Sequence, residues 1–448
     1  MGKLFGTDGV RGIANKDLTP ELAYSLGRVG AHVLLKNMEN LKVVIGKDTR
    51  ISGDLLEQSI TAGFLSMGVN VISLGVIPTP AVAHLTRHLE ADCGVMISAS
   101  HNPSEYNGIK FFTKEGYKLP DEVEDEMEKY ILENIEIEVR PIGENVGTYS
   151  KLDNALELYG DYLKTTLKYD FKGMKIAMDP GNGAAYEIAP QIFRELGAEV
   201  FVINDQPNGI NINLDCGSTH PEEVQKLVKE YGADIGLAFD GDADRLIAVD
   251  NECQIVDGDH ILTICGTFLK KLGQLKKGTV VATVMSNIGL DIAMKDQGCH
   301  VVKTKVGDRY VLEEMLNKGY ALGGEQSGHI IFLDYNTTGD GLLTALKLVE
   351  TVKSEKKTLS ELSNMMISYP QILVNAKVKN ENKEAYINDE IIMKEINNIE
   401  SMLEGQGRVL IRPSGTEPLV RVMLEGKDQN QLNELANKLA NLIEERLS

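Results

Sequence analysis

Four short polar segments, far apart in the chain, hold the residue types that phosphoryl chemistry needs. The first lies in Gly94-Val-Met-Ile-Ser-Ala-Ser-His-Asn-Pro-Ser-Glu-Tyr-Asn-Gly-Ile-Lys110. An apolar strand, Val95 to Ile97, runs into a turn enforced by Asn102-Pro103, because proline fixes its own φ and restricts the residue before it. That leaves a hydroxyl, Ser100, at a strand's end beside His101. Taken alone, this quartet reads more readily as an ordinary polar turn. A reactive serine needs partners from elsewhere.

Asp240-Gly-Asp242-Ala-Asp244-Arg245 can supply them. Alternating carboxylates converge from a loop onto one hard cation, and an oxygen shell completed by phosphate and water is what Mg2+ takes. An EF-hand is excluded, because its glycine and glutamate positions hold Arg245 and Asn251. The plainer alternative is an acidic surface turn, but an apolar strand, Ile235–Phe239, leads directly into the segment. A phosphorylated Ser100 would bring about −1.5 to −2 charges. Beside three aspartates, each close like-charge pair costs about 4 kcal/mol at an effective dielectric of about 20. A divalent cation together with Arg245 lets such a site assemble. Phosphoserine, three aspartates and Mg2+ therefore form one consistent set.

The third segment, Gly324-Glu325-Gln326-Ser327-Gly328-His329, sets a carboxylate and a hydroxyl between glycines. This suits the hydroxyls or amine of a sugar better than a phosphate, with a plain turn as the alternative. The fourth, Arg412-Pro-Ser414-Gly415-Thr416-Glu417-Pro418 with Arg421, offers two arginines, two hydroxyls and backbone N–H groups. That set fits a phosphate dianion, against a generic turn. Pro180-Gly181-Asn-Gly183-Ala-Ala-Tyr186 looks like part of a dinucleotide fingerprint, but Tyr186 replaces its third glycine.

The elements that position these loops repeat. Periodicity predicts strand, helix, strand, helix, strand three times. The first copy runs through Lys42–Ile45, Asn70–Leu74 and Asp92–Ile97, the second through Lys175–Met178, Glu199–Ile203 and Asp234–Phe239. The third runs through Thr279–Met285, His300–Thr304 and Ala321–Gly323. Such alternation implies mainly parallel sheets, and ligands gather at the carboxyl ends of their strands. Each third strand ends in one of the first three polar loops, so all three can face one cleft. After Pro370 the pattern changes to strand, helix, hairpin (Arg408–Leu424) and closing helix. The Glu/Lys-rich stretches 121–138 and 379–400 read as solvated helix faces and connectors.

At 448 residues the chain predicts three or four domains. A net charge of −20 argues against nucleic acid as a partner. Five cysteines without a Cys-x-x-Cys pair read as reduced core thiols of a cytosolic protein. No signal pattern and no run of roughly 18 apolar residues is present, so a cytoplasmic protein without a membrane span is expected.

Together these residues resemble the α-D-phosphohexomutase superfamily, nearly end to end and with four motifs in the family's order. The resemblance implies three topologically related α/β domains with mixed, mainly parallel sheets around a central cleft, plus a C-terminal α+β domain. Expected boundaries are 1–152 with the phosphoserine loop, 153–254 with the metal-binding loop, 255–367 with the sugar-binding loop and 368–448 with the phosphate-binding loop. It implies Ser100 as the phosphoserine, and Asp240, Asp242 and Asp244 as Mg2+ ligands together with the serine phosphate. Glu325, Ser327 and Gly328 would meet the sugar. Arg412, Ser414, Gly415, Thr416 and Arg421 would hold the phosphate that is not reacting. Lys110, His101 and His329 are candidates for the proton transfers, with Arg11 and Arg245 as charge partners of the phosphoserine. A hinge is expected near Ser368–Gln371.

Phe5-Gly-Thr-Asp-Gly-Val-Arg-Gly12, Val306-Gly-Asp-Arg309 and Gln326 are similar to bacterial members of the superfamily that act on glucosamine phosphates. Relatives acting on mannose or glucose phosphates tend to have Met or Glu where Gln326 stands. The implied activity is an intramolecular phosphotransfer (an isomerase) between glucosamine 6-phosphate and glucosamine 1-phosphate. It would pass through glucosamine 1,6-bisphosphate and feed UDP-N-acetylglucosamine and cell-wall precursor synthesis. A homodimer, and an activating kinase or autophosphorylation for Ser100, are expected on the same ground. The alternatives are a phosphomannomutase or phosphoglucomutase, a Mg2+-dependent sugar phosphatase using Asp240 as nucleophile, and a non-catalytic sugar-phosphate sensor.

Overall fold

Continuous apolar runs in the sequence become strands buried on both faces. Cys93–Ile97, Ile235–Phe239 and Thr279–Thr283 are buried at every residue, as expected where helices cover both sides of a sheet. The structure, a computed structural model, describes residues 4–6, 9–34, 41–403, 407–414 and 418–448. The chain divides into two compact units, Met1–Met285 with Cys299–Met365, and Ser286–Gly298 with Met366–Ser448.

The first unit contains three sheets. In spatial order the first runs Val10–Ile13, Tyr106–Thr113, Cys93–Ile97, Lys42–Lys47, Asn70–Val76, Tyr149–Lys151. The second runs Ile255–Val256, Leu246–Asp250, Ile235–Phe239, Lys175–Asp179, Glu199–Val202, and the third His300–Thr304, Thr279–Thr283, Leu322–Gly324, Ile330–Phe332. The repeated strands pair in parallel. In each sheet the third strand of the repeat is then met by an antiparallel return strand, with Ile97 opposite Ile109, Phe239 opposite Leu246 and Gly324 opposite Ile330. The polar loops are thus the tips of three equivalent hairpins.

Buried polar contacts tie the three layers of this unit together. Asp340 caps the helix Gly341–Glu355 by accepting from Leu343 N at 2.9 Å. The same carboxylate accepts from Tyr159 Oη at 2.7 Å and from Asn336 Nδ2 at 2.9 Å. Asn336 Oδ1 in turn accepts from Arg87 Nη2 at 2.9 Å. Residues from the helices Thr79–His88 and Ala155–Thr165 therefore meet the loop before Gly341. Such shared pairing holds the hairpin tips in fixed relation.

The second unit is a three-stranded antiparallel sheet, ordered Gln371–Lys377, Leu419–Glu425, Arg408–Pro413. Ile392, Ile396, Ile399, Leu432, Leu439 and Ile443, from the helices Glu390–Met402 and Gln429–Leu447, pack in one core with the sheet's Val420, Val422 and Leu424. Helix 121–132 buries only Met127, as a solvated face should. All five cysteines are free and four are buried. Among the described residues no helix is long and apolar enough to cross a membrane.

Candidate active site

Ser100 is held at the tip of the first hairpin in the left-handed region, at φ +53°, a conformation that costs a non-glycine residue free energy. Its neighbours compensate with hydrogen bonds. Ser100 N donates to Ser98 Oγ at 2.9 Å, and Ser98 Oγ donates to Asp48 Oδ2 at 2.6 Å. The Ser100 carbonyl accepts from Arg50 Nη2 at 3.0 Å and from Asn213 Nδ2 at 2.8 Å. This geometry aims the side chain at the second hairpin. Ser100 Oγ donates to Asp240 Oδ2 at 2.6 Å, across 140 positions of sequence.

Asp240, Asp242 and Asp244 are all buried, and their ligand atoms lie within 4.8 Å of one another. Asp242 Oδ2 accepts from Thr79 Oγ1 at 2.6 Å and from Lys110 Nζ at 2.8 Å. Asp244 Oδ2 lies 3.4 Å from His329 Nδ1, and its Oδ1 lies 3.6 Å from Arg245 Nε. Yet among the described residues no hydrogen-bond donor reaches the buried Asp242 Oδ1 or Asp244 Oδ1. A buried carboxylate oxygen left without a partner is costly, and a hard cation removes that cost. The donor set, all oxygen and three carboxylates, fits Mg2+.

Protonation follows the same geometry. Burial, and then the charges of Asp244 and Asp242, push the Asp240 carboxyl well above its ordinary range. Burial would also raise Asp244, but His329, Lys110 and Arg245 outweigh it and hold that carboxyl low. Burial works against charge on His329, yet Asp244 raises its proton affinity. His101 is lowered by desolvation and by the guanidiniums of Arg245 and Arg11.

Ser100, Arg11, His101, Arg245, Glu325 and His329 line one open cleft of about 430 Å³. The second and third hairpins are stitched by an antiparallel bridge between Arg245 and His329. In the loop expected to meet a sugar, Glu325 Oε1 accepts from Gly307 N at 3.1 Å, and Gln326 Nε2 donates to Asp257 Oδ2 at 3.1 Å. Gly328, at φ +90°, passes so close to Leu246 that an added Cβ would sit 2.1 Å from its carbonyl oxygen. Ser327 is exposed. His101 is exposed as well, with Nδ1 3.5 Å from Ser100 Oγ.

The phosphate-loop candidates belong to the second unit. Arg412 and Arg421 are direct cross-strand partners. Like charges directly opposite are unfavourable unless an anion lies between them. Lys383 Nζ adds a third cation by donating to the carbonyl of the buried Ser414 at 2.7 Å. Gly415 and Thr416 lie outside the described residues.

Residues that the motifs did not flag are Thr79, Asp48, Arg50, Ser98, Asn213 and Lys383. Asp48-Thr49-Arg50 follows an apolar strand as the other polar loops do, which was the available signal. The glycines of Pro180–Gly183 serve the protein itself. An added Cβ on Gly183 would lie 2.5 Å from the Gly241 carbonyl oxygen, and Ala184 N donates to that same oxygen at 2.8 Å. The glycine turn therefore backs the aspartate loop.

Comparison with known proteins agrees with this geometry. The profiles described as phosphoglucomutase/phosphomannomutase alpha/beta/alpha domains I, II and III match residues 2–138, 157–254 and 257–369, and that of the C-terminal domain matches 373–442. The chain is 71% identical to phosphoglucosamine mutase of Alkaliphilus oremlandii and 60% identical to that of Clostridioides difficile, covering 100% of each chain in both cases. In fold it is similar to a phosphoglucomutase/phosphomannomutase family protein of Burkholderia thailandensis (TM-score 0.80, 24% identity, 99% of this chain and 98% of that one). It is also similar to Aspergillus fumigatus N-acetylphosphoglucosamine mutase, solved with GlcNAc-6P and magnesium (TM-score 0.69, 18% identity, 100% and 96%). With three hairpin tips meeting at one carboxylate cluster and matching profiles along nearly its whole length, the chain belongs to the phosphoglucomutase/phosphomannomutase family.

Proposed function

We propose that the protein is a phosphoglucosamine mutase, interconverting glucosamine 6-phosphate and glucosamine 1-phosphate with Ser100 as the phosphoryl carrier. One observation carries the chemistry: Ser100 Oγ lies 2.6 Å from Asp240 Oδ2, within a buried three-carboxylate cluster. The substrate rests on the full-length relatives at 71% and 60% identity. The cleft of about 430 Å³ is in the size range of small-molecule sites, roughly 300–1,000 Å³.

A hydroxyl of the sugar attacks phosphorus on phosphorylated Ser100. A P–O bond to the sugar forms as the bond to Ser100 Oγ breaks, and the hydroxyl proton passes to a base. The serine oxygen takes up a proton, leaving glucosamine 1,6-bisphosphate. After the intermediate turns in the cleft, the other phosphoryl group returns to Ser100 by the reverse steps. His101, lowered by its surroundings, suits the base, and His329, its proton affinity raised by Asp244 against the effect of burial, holds negative charge in place with Arg245. Lys110, salt-bridged to Asp242 at 2.8 Å, balances the carboxylates and remains a proton-transfer candidate. Held by Asp240, Asp242, Asp244 and the Ser100 phosphate, Mg2+ would neutralise charge on the transferring group. Glu325, Ser327 and Gly328 meet the sugar, while Arg412, Ser414, Gly415, Thr416 and Arg421 take the phosphate that is not reacting. Ser100 receives its first phosphoryl group from a kinase, from the bisphosphate or by autophosphorylation.

The test pairs a variant with a substrate panel. Ser100→Ala should lose turnover while still binding sugar phosphate; normal turnover would end the proposal. For the parent protein, kcat/KM with catalytic 1,6-bisphosphate should be highest for glucosamine 6-phosphate. A preference for the glucose or mannose ester would reassign the substrate within the family.

A further inference from the structure

The loop that presents Ser100 is gripped from behind by a side chain that never reaches the cleft. Arg50 has a fully buried side chain. Its Nε donates to Asp48 Oδ2 at 2.9 Å, and Nη2 donates to the carbonyls of Ser100 and Asn102 at 3.0 and 2.8 Å. Nη1 donates to the Pro103 carbonyl. One guanidinium thus collects three carbonyls of the turn while Asp48 neutralises it. Asp48 also reaches the same turn from its other side, through Ser98 Oγ to Ser100 N, at 2.6 and 2.9 Å.

From the second sheet's side, Asn213 Nδ2 donates to the carbonyls of Ser100 and Asn102 at 2.8 and 3.1 Å. Gly241 leaves room for this approach, since a Cβ there would lie 2.6 Å from the Ser100 carbonyl oxygen and 2.8 Å from Asn213 Nδ2. These contacts add to the turn's own bond, Asn102 N to the Ala99 carbonyl at 3.1 Å, and offset the cost of holding Ser100 at φ +53°, where a serine is intrinsically disfavoured.

We infer that Arg50, with Asp48 and Asn213, is a positioning device that holds Ser100 in its left-handed conformation, in line with Asp240 and the substrate. The inference rests on Ser100 being the phosphoryl carrier. Arg50 reaches Ser100 only at its backbone carbonyl and does not line the cleft, so its loss should lower the rate of phosphoryl transfer without weakening sugar-phosphate binding. A lysine keeps the charge but cannot reproduce a planar fork across three carbonyls. Misplacement of a reacting atom by about 1 Å costs about 100-fold in rate.

The test measures labelling of residue 100 by mass spectrometry, with labelled glucosamine 1,6-bisphosphate as donor, alongside kcat and KM for glucosamine 6-phosphate. Parent protein, Ser100→Ala, Arg50→Lys and Asn213→Gly are compared. Glycine at 213 keeps the positive φ found there, +56°, and removes only the amide, so it tests the grip even where Arg50→Lys fails to fold. The expected result is label on Ser100 of the parent and none at residue 100 in Ser100→Ala. In Arg50→Lys, labelling and kcat should fall about 100-fold, and in Asn213→Gly about 30-fold, for the loss of two hydrogen bonds, with KM within about threefold of the parent. Parent label on another residue would sink the Ser100 reading itself. Label on Ser100 at parental rates in both variants, or losses confined to KM, would overturn the positioning role.

Discussion

Replacing Asp240 by asparagine should make the metal-free protein more stable while removing its response to Mg2+. Two carboxylates no more than 4.8 Å apart repel by at least about 3.5 kcal/mol at an effective dielectric of about 20. Asparagine at 240 cancels two of the three pairs, about 7 kcal/mol gross. Lys110, Arg245 and His329 already offset part of this, and Asp240 relieves more by holding a proton, so a net gain of about 1–3 kcal/mol is expected. The substitution keeps shape and pairing. Ser100 Oγ and Arg245 N now donate to Asp240, and an amide can accept from one and donate to the hydroxyl of the other. Urea melts in EDTA and in Mg2+ measure both effects. With Mg2+ at about 100 times its Kd, the parent should gain about 2.7 kcal/mol, and the variant little. A metal-free variant less stable than the parent, or one with an undiminished Mg2+ shift, would refute the electrostatic reasoning.

Other expectations follow from single contacts. Because the folded Asp240 carboxyl is raised, its contribution to stability is complete below the unfolded value of about 3.9 and fades as pH rises through the folded one. Melts in EDTA should show that loss, Mg2+ should suppress it, and Mg2+ affinity should rise with pH. Thr79→Val removes the 2.6 Å hydrogen bond that orients Asp242. Titration should show Mg2+ bound about 10-fold more weakly, with the Thr79 N–H to Asp242 carbonyl bond intact. Gly328→Ala drives a Cβ against the Leu246 carbonyl at φ +90°, so steady-state kinetics should show a raised KM, with about 1–3 kcal/mol lost in denaturant melts.

The chain discloses its candidate site more readily than the supports beneath it. Ser100, the three aspartates and Glu325 stand out because polar residues at the ends of apolar strands are conspicuous, and the repeated strand–helix order predicted the sheets that place them. The return strands Tyr106–Thr113, Leu246–Asp250 and Ile330–Phe332 were not foreseen, since each begins just after a loop that draws the eye. Val10–Ile13 was hidden by the Arg-Gly at its centre. Arg50 was marked only by its place after an apolar strand and Asn213 by nothing, because what both hold in the Ser100 turn is backbone carbonyl, which leaves no pattern in a sequence. Thr79, one residue before a proline, reads as an ordinary helix start, and its bond to Asp242 spans 163 positions. The glycines at 181 and 183 resemble part of a dinucleotide fingerprint that Tyr186 breaks, and nothing in the sequence showed that they make room for the aspartate loop.

The most direct test of the central claim is a rapid-quench experiment. Protein phosphorylated on Ser100 is mixed with one equivalent of glucosamine 6-phosphate in Mg2+, and the peptide carrying residue 100 is followed by mass spectrometry as the sugar products are separated. The expected result is loss of phosphate from Ser100 matched in time by glucosamine 1,6-bisphosphate, with both steps stalled in EDTA. Phosphate that stays on Ser100 while sugar turns over, or that appears on Asp240, would contradict the shared site.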